Sequence, residues 1–413
     1  MITVEEAQEQ VLARIERLGP QPTGILEALG CVLARDIVSD IDVAPFDNSA
    51  MDGYAVRAVD TAGASEDAPV VLRVVDHIAA GAMPQATVGP GEASRIMTGA
   101  PTPDGADAIV MVEDTTSLEM GGSTGGTVAL SRPARAGDHI RHKGEDVRVG
   151  ETVMSAGEIL TPAGVGLLAA VGATQVDVYR RPEVAIVSTG DELVEIGSKP
   201  GPGKIRNSNS WSLAAQVQAA GGIPHILGIA RDNEADTRAL LSRAPEFDLM
   251  ITTGGVSMGD FDVVRDVLED IGRMDFWKVA MRPGAPQTYG TIGGTPFFGL
   301  PGNPTSTMVG FELFVRPSIR RMRGFADLYR PRTQAILEMD VRKKSDRRYF
   351  MRGRLVLGQD GVYTVGLSGA QSSAMLTAMH RANCLISLPE GSSAIAAGTE
   401  VTCIRLDMEE GTP

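Results

Sequence analysis

The chain has 413 residues, 43% of them apolar, with 38 basic against 52 acidic side chains and a formal net charge of −14. At roughly 150 residues per domain this composition supports about two to four domains with real cores, excludes intrinsic disorder, and argues against a broad nucleic-acid surface, which needs a basic face. No run approaches the ~18 to 20 apolar residues of a membrane span, and the opening MITVEEAQEQ is not a basic-then-apolar signal, so no membrane partner and a cytoplasmic location are expected.

Thr3 and Glu6 have capping-box spacing, and Val4, Ala7, Val11, Ile15 and Leu18 recur every three or four residues, which predicts an opening amphipathic helix ended by Gly19 and Pro20. A shorter helical stretch near Leu26, the strand-like VLARDIVSD and the loop VAPFDNSAMDGYA follow. From Tyr54 to Glu145, short β-type runs (VVLRVVD, ADAIVMVED, TVALSRP) separated by Gly and Pro clusters, including GGSTGG at 121 to 126, predict a small β-rich module. Thr161 and Pro162 open a helix over GVGLLAAVG that leads into the strand TQVDVYRR.

Beyond Pro182, strands alternate with helices: EVAIVST, a helix from Ser210, HILGIA, a helix after Asp232, DLMITT and a helix over VVRDVLEDIG. This alternation predicts a parallel sheet covered by helices, closed by the strand FFGLPG and a helix from Pro304 to Val315 that stops at Pro317. From Arg332 the pattern is β again, with an Asp360-Gly361 hairpin turn, and predicts a C-terminal barrel or sandwich. Cys31, Cys384 and Cys403 are too far apart for metal-ligand spacing and are read as core residues.

Three strand-to-glycine-to-helix junctions lie in the α/β region: VSTGDEL at 187 to 193, TTGGVSMGDFD at 252 to 262 and GLPGNPTS at 299 to 306. In a parallel sheet all three open at the carboxyl edge, where free backbone N–H groups and small residues admit an anion. Asp191, Glu192, Asp232, Asp260 and Asp262 accompany them, an oxygen-only set suited to Mg²⁺ shared with phosphates; helix-start charge is an available account of Asp260 and Asp262 but does not explain acids at three separate edges. Lys278, Arg282 and the run Arg342 to Arg354, with seven basic residues and one acid, are the available cations, and such a run is ordinarily solvated surface unless it faces the acidic edge. His139, His142 and Glu145 lack metal-site order and are read as structural or solvent-exposed. No GxSxG, GxxxxGK[ST] or helix-opening GxGxxG motif is present, which disfavours serine hydrolases, P-loop NTPases and dinucleotide oxidoreductases.

PFDNSAMDGYAV at 45 to 56, IMTGAPTP at 96 to 103, STGDEL, TTGGVSMGDFD, FWKVAMRPG and GLPGNPTSTMVGFELFVRP together resemble the MoeA family of molybdopterin molybdenumtransferases, related to the E domain of gephyrin, over essentially the whole chain. The resemblance implies Mg²⁺-assisted conversion of adenylylated molybdopterin and molybdate into molybdenum cofactor with release of AMP. It implies a homodimer, with contacts to the upstream adenylyltransferase and to apo-molybdoenzymes. The implied architecture is a discontinuous connector (1–46 and 147–178), a β-rich domain (47–146), a MogA-like α/β domain (179–325) and a C-terminal β-barrel (326–413). By matching position, Glu192, Asp232 and Asp262 are implied as catalytic and metal-binding acids and Asp52 as the acid contributed across the dimer. The resemblance likewise implies that Thr98 and Asp146 line the cleft, that Pro301 and Pro304 shape a rigid loop, and that Lys278, Arg282, Arg352 and Ser373 contact phosphate, pterin or molybdate.

Departures from the family pattern are Arg282 and Ala285 where KPGKP has lysines, Val263 where tyrosine is usual, and Ser372 in Gln371-Ser372-Ser373 where glycine is common. Ala285 and Val263 motivate a second reading, a non-catalytic molybdopterin-binding or scaffold paralogue. A third, the related adenylyltransferase, is disfavoured by the added β modules.

Overall fold

The computed structural model describes residues 1–119, 124–255, 263–391 and 394–408. The chain divides into two compact units, one of residues 1–22, 30–34 and 177–413, the other of residues 23–29 and 35–176.

In the smaller unit, strands β1 (Gly53–Val56), β2 (Val70–Ile78), β3 (Glu92–Ile96), β4 (Ala108–Met111), β5 (Thr115–Ser117) and β6 (Thr127–Leu130) form a six-stranded sheet ordered β4-β1-β3-β2-β6-β5. All pairs are antiparallel except β2 with β3. Alternate residues of β2 are buried, as a half-buried strand requires. The first half of the GGSTGG turn, residues 121–123, lies outside the described residues. Thr161 caps a helix over Pro162–Ala170 by accepting the Gly164 N–H. The segment around Leu26 is a series of turns, not the expected short helix; Leu26 is exposed, so no apolar face holds one in place.

In the larger unit, helix α1 (Val4–Leu12) carries the full capping box, Thr3 N–H to Glu6 at 2.8 Å and Glu6 N–H to Thr3 at 3.1 Å. It ends earlier than its apolar period suggests. Ile15 and Leu18 still pack inward, but the Ile15 carbonyl accepts from Arg321 Nε and the Leu18 N–H donates to the Met322 carbonyl, so tertiary bonds replace helical ones. Val4, Ala7, Val11 and Ile15 share one apolar cluster with the α/β sheet.

That sheet contains β7 (Glu183–Thr189), β8 (Ile223–Ala230), β9 (Leu249–Thr253), β10 (Gly272–Lys278), β12 (Pro286–Ile292) and β13 (Thr295–Leu300), in the order β8-β7-β9-β13-β12-β10. The first four are parallel as expected, and β12 and β10 extend the sheet antiparallel, so it is mixed. Helices α3 (Ser208–Ala219) and α4 (Glu234–Leu241) connect parallel strands, and α5 (Val263–Ile271) leads directly into the antiparallel edge strand β10. The last helical stretch does not stop at Pro317: Pro304–Gly310 runs into a π-helical turn, Phe311–Val315, and on into Arg316–Met322. The wider turn just before Pro317 lets the helix continue past a residue that donates no N–H.

Strands β14 (Arg332–Leu337), β15 (Arg348–Leu357), β16 (Tyr363–Leu367), β17 (Cys384–Leu388) and β18 (Glu400–Arg405) pair in the cycle β15-β16-β14-β18-β17-β15, a closed barrel. The short β11 (Met281–Arg282) adds to β15 in parallel, setting Arg282 opposite Tyr349. The Asp360-Gly361 turn joins β15 to β16, with Gly361 at φ 79° and the Val362 N–H donating to Asp360. Cys384 and Cys403 are buried in this barrel and Cys31 in the core of the larger unit.

Candidate functional site

The carboxyl ends of β7, β9 and β13 open into a cavity of about 1510 Å³ in the larger unit. Its first wall is glycine-built. Gly254 and Gly255 hold φ of 92° and 64°, and a Cβ at either would lie 2.6 Å from the Thr189 carbonyl or 2.3 Å from Val264 Cγ2. Only glycine lets the chain turn there so close to β7. Thr189 is itself buried, lines the cavity, and leaves its Oγ1 without a partner.

The loop at the end of β13 is held rigid. The Pro301 carbonyl accepts the Thr253 hydroxyl at 3.1 Å as well as the Thr307 hydroxyl, and the Gly302 carbonyl accepts Asn209 Nδ2 at 2.8 Å. Pro301 and Pro304 therefore present a fixed edge to the cavity. Glu192 and Asp232 stand on the same rim, both exposed. Asp191 and Asp232 clasp each other, each main-chain N–H donating to the other's carboxylate at 3.1 and 3.3 Å. Lys204 Nζ and Arg231 Nη1 both donate to the Asp191 carbonyl, fixing the turn that carries Glu192.

The opposite wall is cationic. Arg282, Arg342, Lys344, Arg347 and Arg352 all line the cavity, so much of the run from Arg342 to Arg354 does face the acidic edge. Arg348 is turned elsewhere, paired with Glu5 and Glu390, and Lys343 donates to the Pro389 carbonyl. Along β15, alternation sends Phe350 toward the α/β core, while Tyr349, Met351 and Leu355 fill the barrel.

Arg352 is only 1% exposed. Its Nη2 donates to the carbonyls of Ala370 and Ser372 at 3.3 and 3.1 Å, its Nε has no partner, and burial lowers its pKa to about 10. No carboxylate among the described residues lies within ion-pair distance of it. A buried charge so arranged is costly until an anion arrives. Gln371 pins the neighbouring loop, accepting the Arg352 N–H at 2.9 Å and donating to its carbonyl at 3.1 Å. The Ser373 carbonyl accepts the Thr305 N–H at 3.0 Å, which ties that loop to the helix beginning at Pro304.

Of the residues expected from sequence, Glu192, Asp232, Arg282, Pro301, Pro304, Arg352 and Ser373 thus meet around one cavity. Asp262, and Asp260 beside it, lie outside the described residues, though Gly255 and Val263 on either side of that segment line the cavity. Lys278 ends β10, its carbonyl accepting the Ile2 N–H, and is not among the lining residues. Tyr349 and Thr189 went unnoticed in the sequence; the available signal was their place at strand ends bordering a glycine junction or a basic run.

Asp52, Thr98 and Asp146 belong to the smaller unit, and all three are exposed. Asp52 accepts both the N–H and the hydroxyl of Thr98, at 2.7 and 2.8 Å, and these bonds hold its carboxyl below the usual carboxylate range. Because the folded value is depressed, the stabilisation is present above the ordinary value near ~3.9 and is lost as pH falls through the folded value. Thr98→Val keeps the N–H and removes the hydroxyl, so the Asp52 carboxyl is expected to titrate at higher pH in a carbon-detected NMR titration. An unmoved value would show that the hydroxyl contributes nothing. His142 sets its ring nitrogen 3.4 Å from Asp47, and Glu145 accepts the His142 N–H, an arrangement that orders a loop.

Among the described residues no group of three or more His, Cys, Asp or Glu side chains is placed to hold a metal ion. Glu192 and Asp232 nevertheless fit Mg²⁺, which takes one or two carboxylates and completes its shell with phosphate oxygens and water. Nor is any helix among the described residues long and apolar enough to cross a membrane.

A cationic wall with an unpaired buried guanidinium, facing a carboxylate rim at the carboxyl edge of a parallel sheet, defines a protein that receives a multiply anionic small molecule. Residues 2–172 match the MoeA N-terminal region (domain I and II), 185–321 a probable molybdopterin binding domain, and 334–406 the MoeA C-terminal region (domain IV). The chain is 43% identical over 409 residues to molybdopterin molybdenumtransferase 2 of Mycobacterium tuberculosis, covering 97% of this chain and 98% of that one. It is 36% identical over 405 residues to the molybdopterin molybdenumtransferase of Staphylococcus aureus, covering 98% and 95%. A solved molybdopterin biosynthesis MoeA protein from Pyrococcus horikoshii superposes with a TM-score of 0.83 at 34% identity, over 99% of this chain and 100% of that one. The chain belongs to the molybdopterin molybdenumtransferase family.

Proposed function

We propose that this protein inserts molybdenum into molybdopterin, using adenylylated molybdopterin and molybdate as substrates, forming molybdenum cofactor and releasing AMP. The observation that carries this reading is the meeting of Arg352, Arg282 and Ser373 with Glu192 and Asp232 around one cavity. A tetrahedral dianion suits the cationic wall, and the pyrophosphate of the adenylylated pterin suits the carboxylate rim with Mg²⁺.

The chain's own residues divide the work. Arg352 and Arg282 attract and orient molybdate, and Pro301 and Pro304 form the fixed edge against which the pterin lies. Glu192 and Asp232, with Asp262 by resemblance, would hold Mg²⁺, and they position the attacking water. When bound, Mg²⁺ supplies charge neutralisation at the pyrophosphate. Water cleaves the P–O–P linkage, leaving the phosphate on the pterin and releasing AMP, and molybdate binds the two dithiolene sulfurs as one of its oxo groups leaves as water with the two thiol protons. In this reading the protein works as a cytoplasmic homodimer, in which the second subunit contributes its acid at position 52, and it exchanges substrate and product with the adenylyltransferase and apo-molybdoenzymes.

Purified protein mixed with adenylylated molybdopterin, Mg²⁺ and molybdate is expected to release AMP only when molybdate is present and to yield cofactor that activates an apo-molybdoenzyme. Pterin binding with no AMP above background would instead identify a scaffold, the reading that Ala285 in the cavity wall motivates.

A further inference from the structure

One aromatic hydroxyl in the cavity has no role in the assignments above. Tyr349 is 6% exposed; its ring belongs to the barrel core, and it lines the cavity beside Arg282. The two residues face each other because β11 pairs in parallel with β15 in the register Arg282 to Tyr349. The phenol oxygen accepts the Lys344 N–H at 2.8 Å and Arg282 Nη1 at 3.3 Å. The Arg282 guanidinium carbon lies 5.5 Å from the ring centroid, and Lys343 Nζ lies 5.4 Å from it.

Two N–H donors already occupy the oxygen, so the hydroxyl proton must find an acceptor. Within the chain that acceptor is Ser345 Oγ at 3.3 Å, a hydroxyl equally able to donate. An anionic oxygen in the cavity is a stronger acceptor, since hydrogen bonds to ionised groups are about twice as strong as neutral ones. A guanidinium also differs from an ammonium in needing its plane set, and a ring with a hydroxyl acceptor sets it. Arg352, three residues further along β15, lines the same cavity, and its buried Nε has no partner.

We propose that Tyr349 is an oxyanion-binding residue of this protein: its hydroxyl fixes the Arg282 fork at the cavity wall and donates its own proton to an oxygen of the bound tetrahedral dianion. The proposal rests on the molybdenum-insertion reading and deepens it. It gives the Arg282 departure a physical partner, on a wall where Ala285 brings no charge.

The test uses the full chain with sodium molybdate as the titrant in calorimetry, and steady-state AMP release as the second readout. Tyr349→Phe keeps the ring and is expected to melt with the wild type. Its molybdate Kd and molybdate KM are expected to rise about tenfold, the loss of one hydrogen bond to a charged group, while the KM for adenylylated molybdopterin is unchanged. Arg282→Lys is expected to lose a similar factor, and the double variant no more than the larger single loss, because the two groups act as one unit. Wild-type binding of molybdate with a Tyr349→Phe value within twofold, or losses that multiply in the double variant, would overturn the proposal and leave the insertion reading intact. Should the phenylalanine variant melt early, Arg282→Lys alone decides, a loss under twofold counting against. If the wild type takes up no molybdate, the insertion reading fails and this proposal with it.

Discussion

The Arg352→Met variant is expected to lose molybdate affinity by about 100-fold, the scale of one or two charge-assisted hydrogen bonds, while melting at the same temperature as the wild type or higher. Two opposite effects of one buried charge produce this result. Without an anion, Arg352 carries a desolvation penalty that no carboxylate among the described residues offsets, and burial lowers its pKa to about 10. Methionine fills similar space without that penalty, and replacing buried ions with apolar groups of like volume is often neutral or stabilising. With molybdate present the same charge becomes the deepest cation of the wall.

The sign of the pH dependence follows from the direction of that shift. Folding disfavours the charged form of Arg352, so its penalty is fully present below about 10 and is relieved as pH rises toward the ordinary arginine range. A bound dianion restores the proton's hold, so molybdate affinity is expected to be flat below about 10 and to decline above it. Calorimetric titration across pH, with melting curves of both proteins, measures all three quantities. A variant that binds molybdate like the wild type would remove Arg352 from the site, and one that melts several degrees lower would show its charge to be structural.

Glu192→Gln and Asp232→Asn are each expected to fold normally, retain molybdate binding and lower AMP release at least about 100-fold, because a metal ion at a phosphoryl oxygen supplies several kcal/mol of transition-state stabilisation. Both substitutions remove charge with little change in shape. Neither carboxylate supports the core, since both stand exposed on the rim. Asp232→Asn keeps one oxygen for the clasp with Asp191, whose N–H it accepts. Raised Mg²⁺ is expected to recover part of the rate in each variant. A rate within threefold of the wild type at limiting Mg²⁺ would take that residue out of the metal site.

Much of the architecture was legible because it rests on local chemistry. Thr3 and Glu6 form their reciprocal cap, Thr161 its single one, and the runs EVAIVST and DLMITT become adjacent parallel strands. Their burial on both faces is what an uninterrupted apolar run requires. The failures have separate causes: distant hydrogen bonds end α1 early, an exposed Leu26 gives no apolar face to hold a helix, and a local π-helical turn carries the last helix past Pro317. Sequence period suggested a helix continuing from Leu12 to Leu18, but the end of the last helix supplied the competing hydrogen bonds.

The candidate site divides in the same way. Sequence alone determined which residue types were available: glycines at strand ends, acids beside them, and a basic run in an otherwise negative chain. A run of like charge carries no information about what it faces, and ordinarily it faces water. Only the barrel's closure, with β11 laid on β15, turns Arg342, Lys344, Arg347 and Arg352 toward Glu192 and Asp232 while sending Arg348 to Glu5 and Lys343 to a carbonyl. Pairing register between strands more than sixty residues apart decides that Arg282 meets a phenol. Charge and turn chemistry are properties of neighbouring residues and can be read in order; which charges share a cavity is a property of long-range pairing, and the folded chain alone sets it.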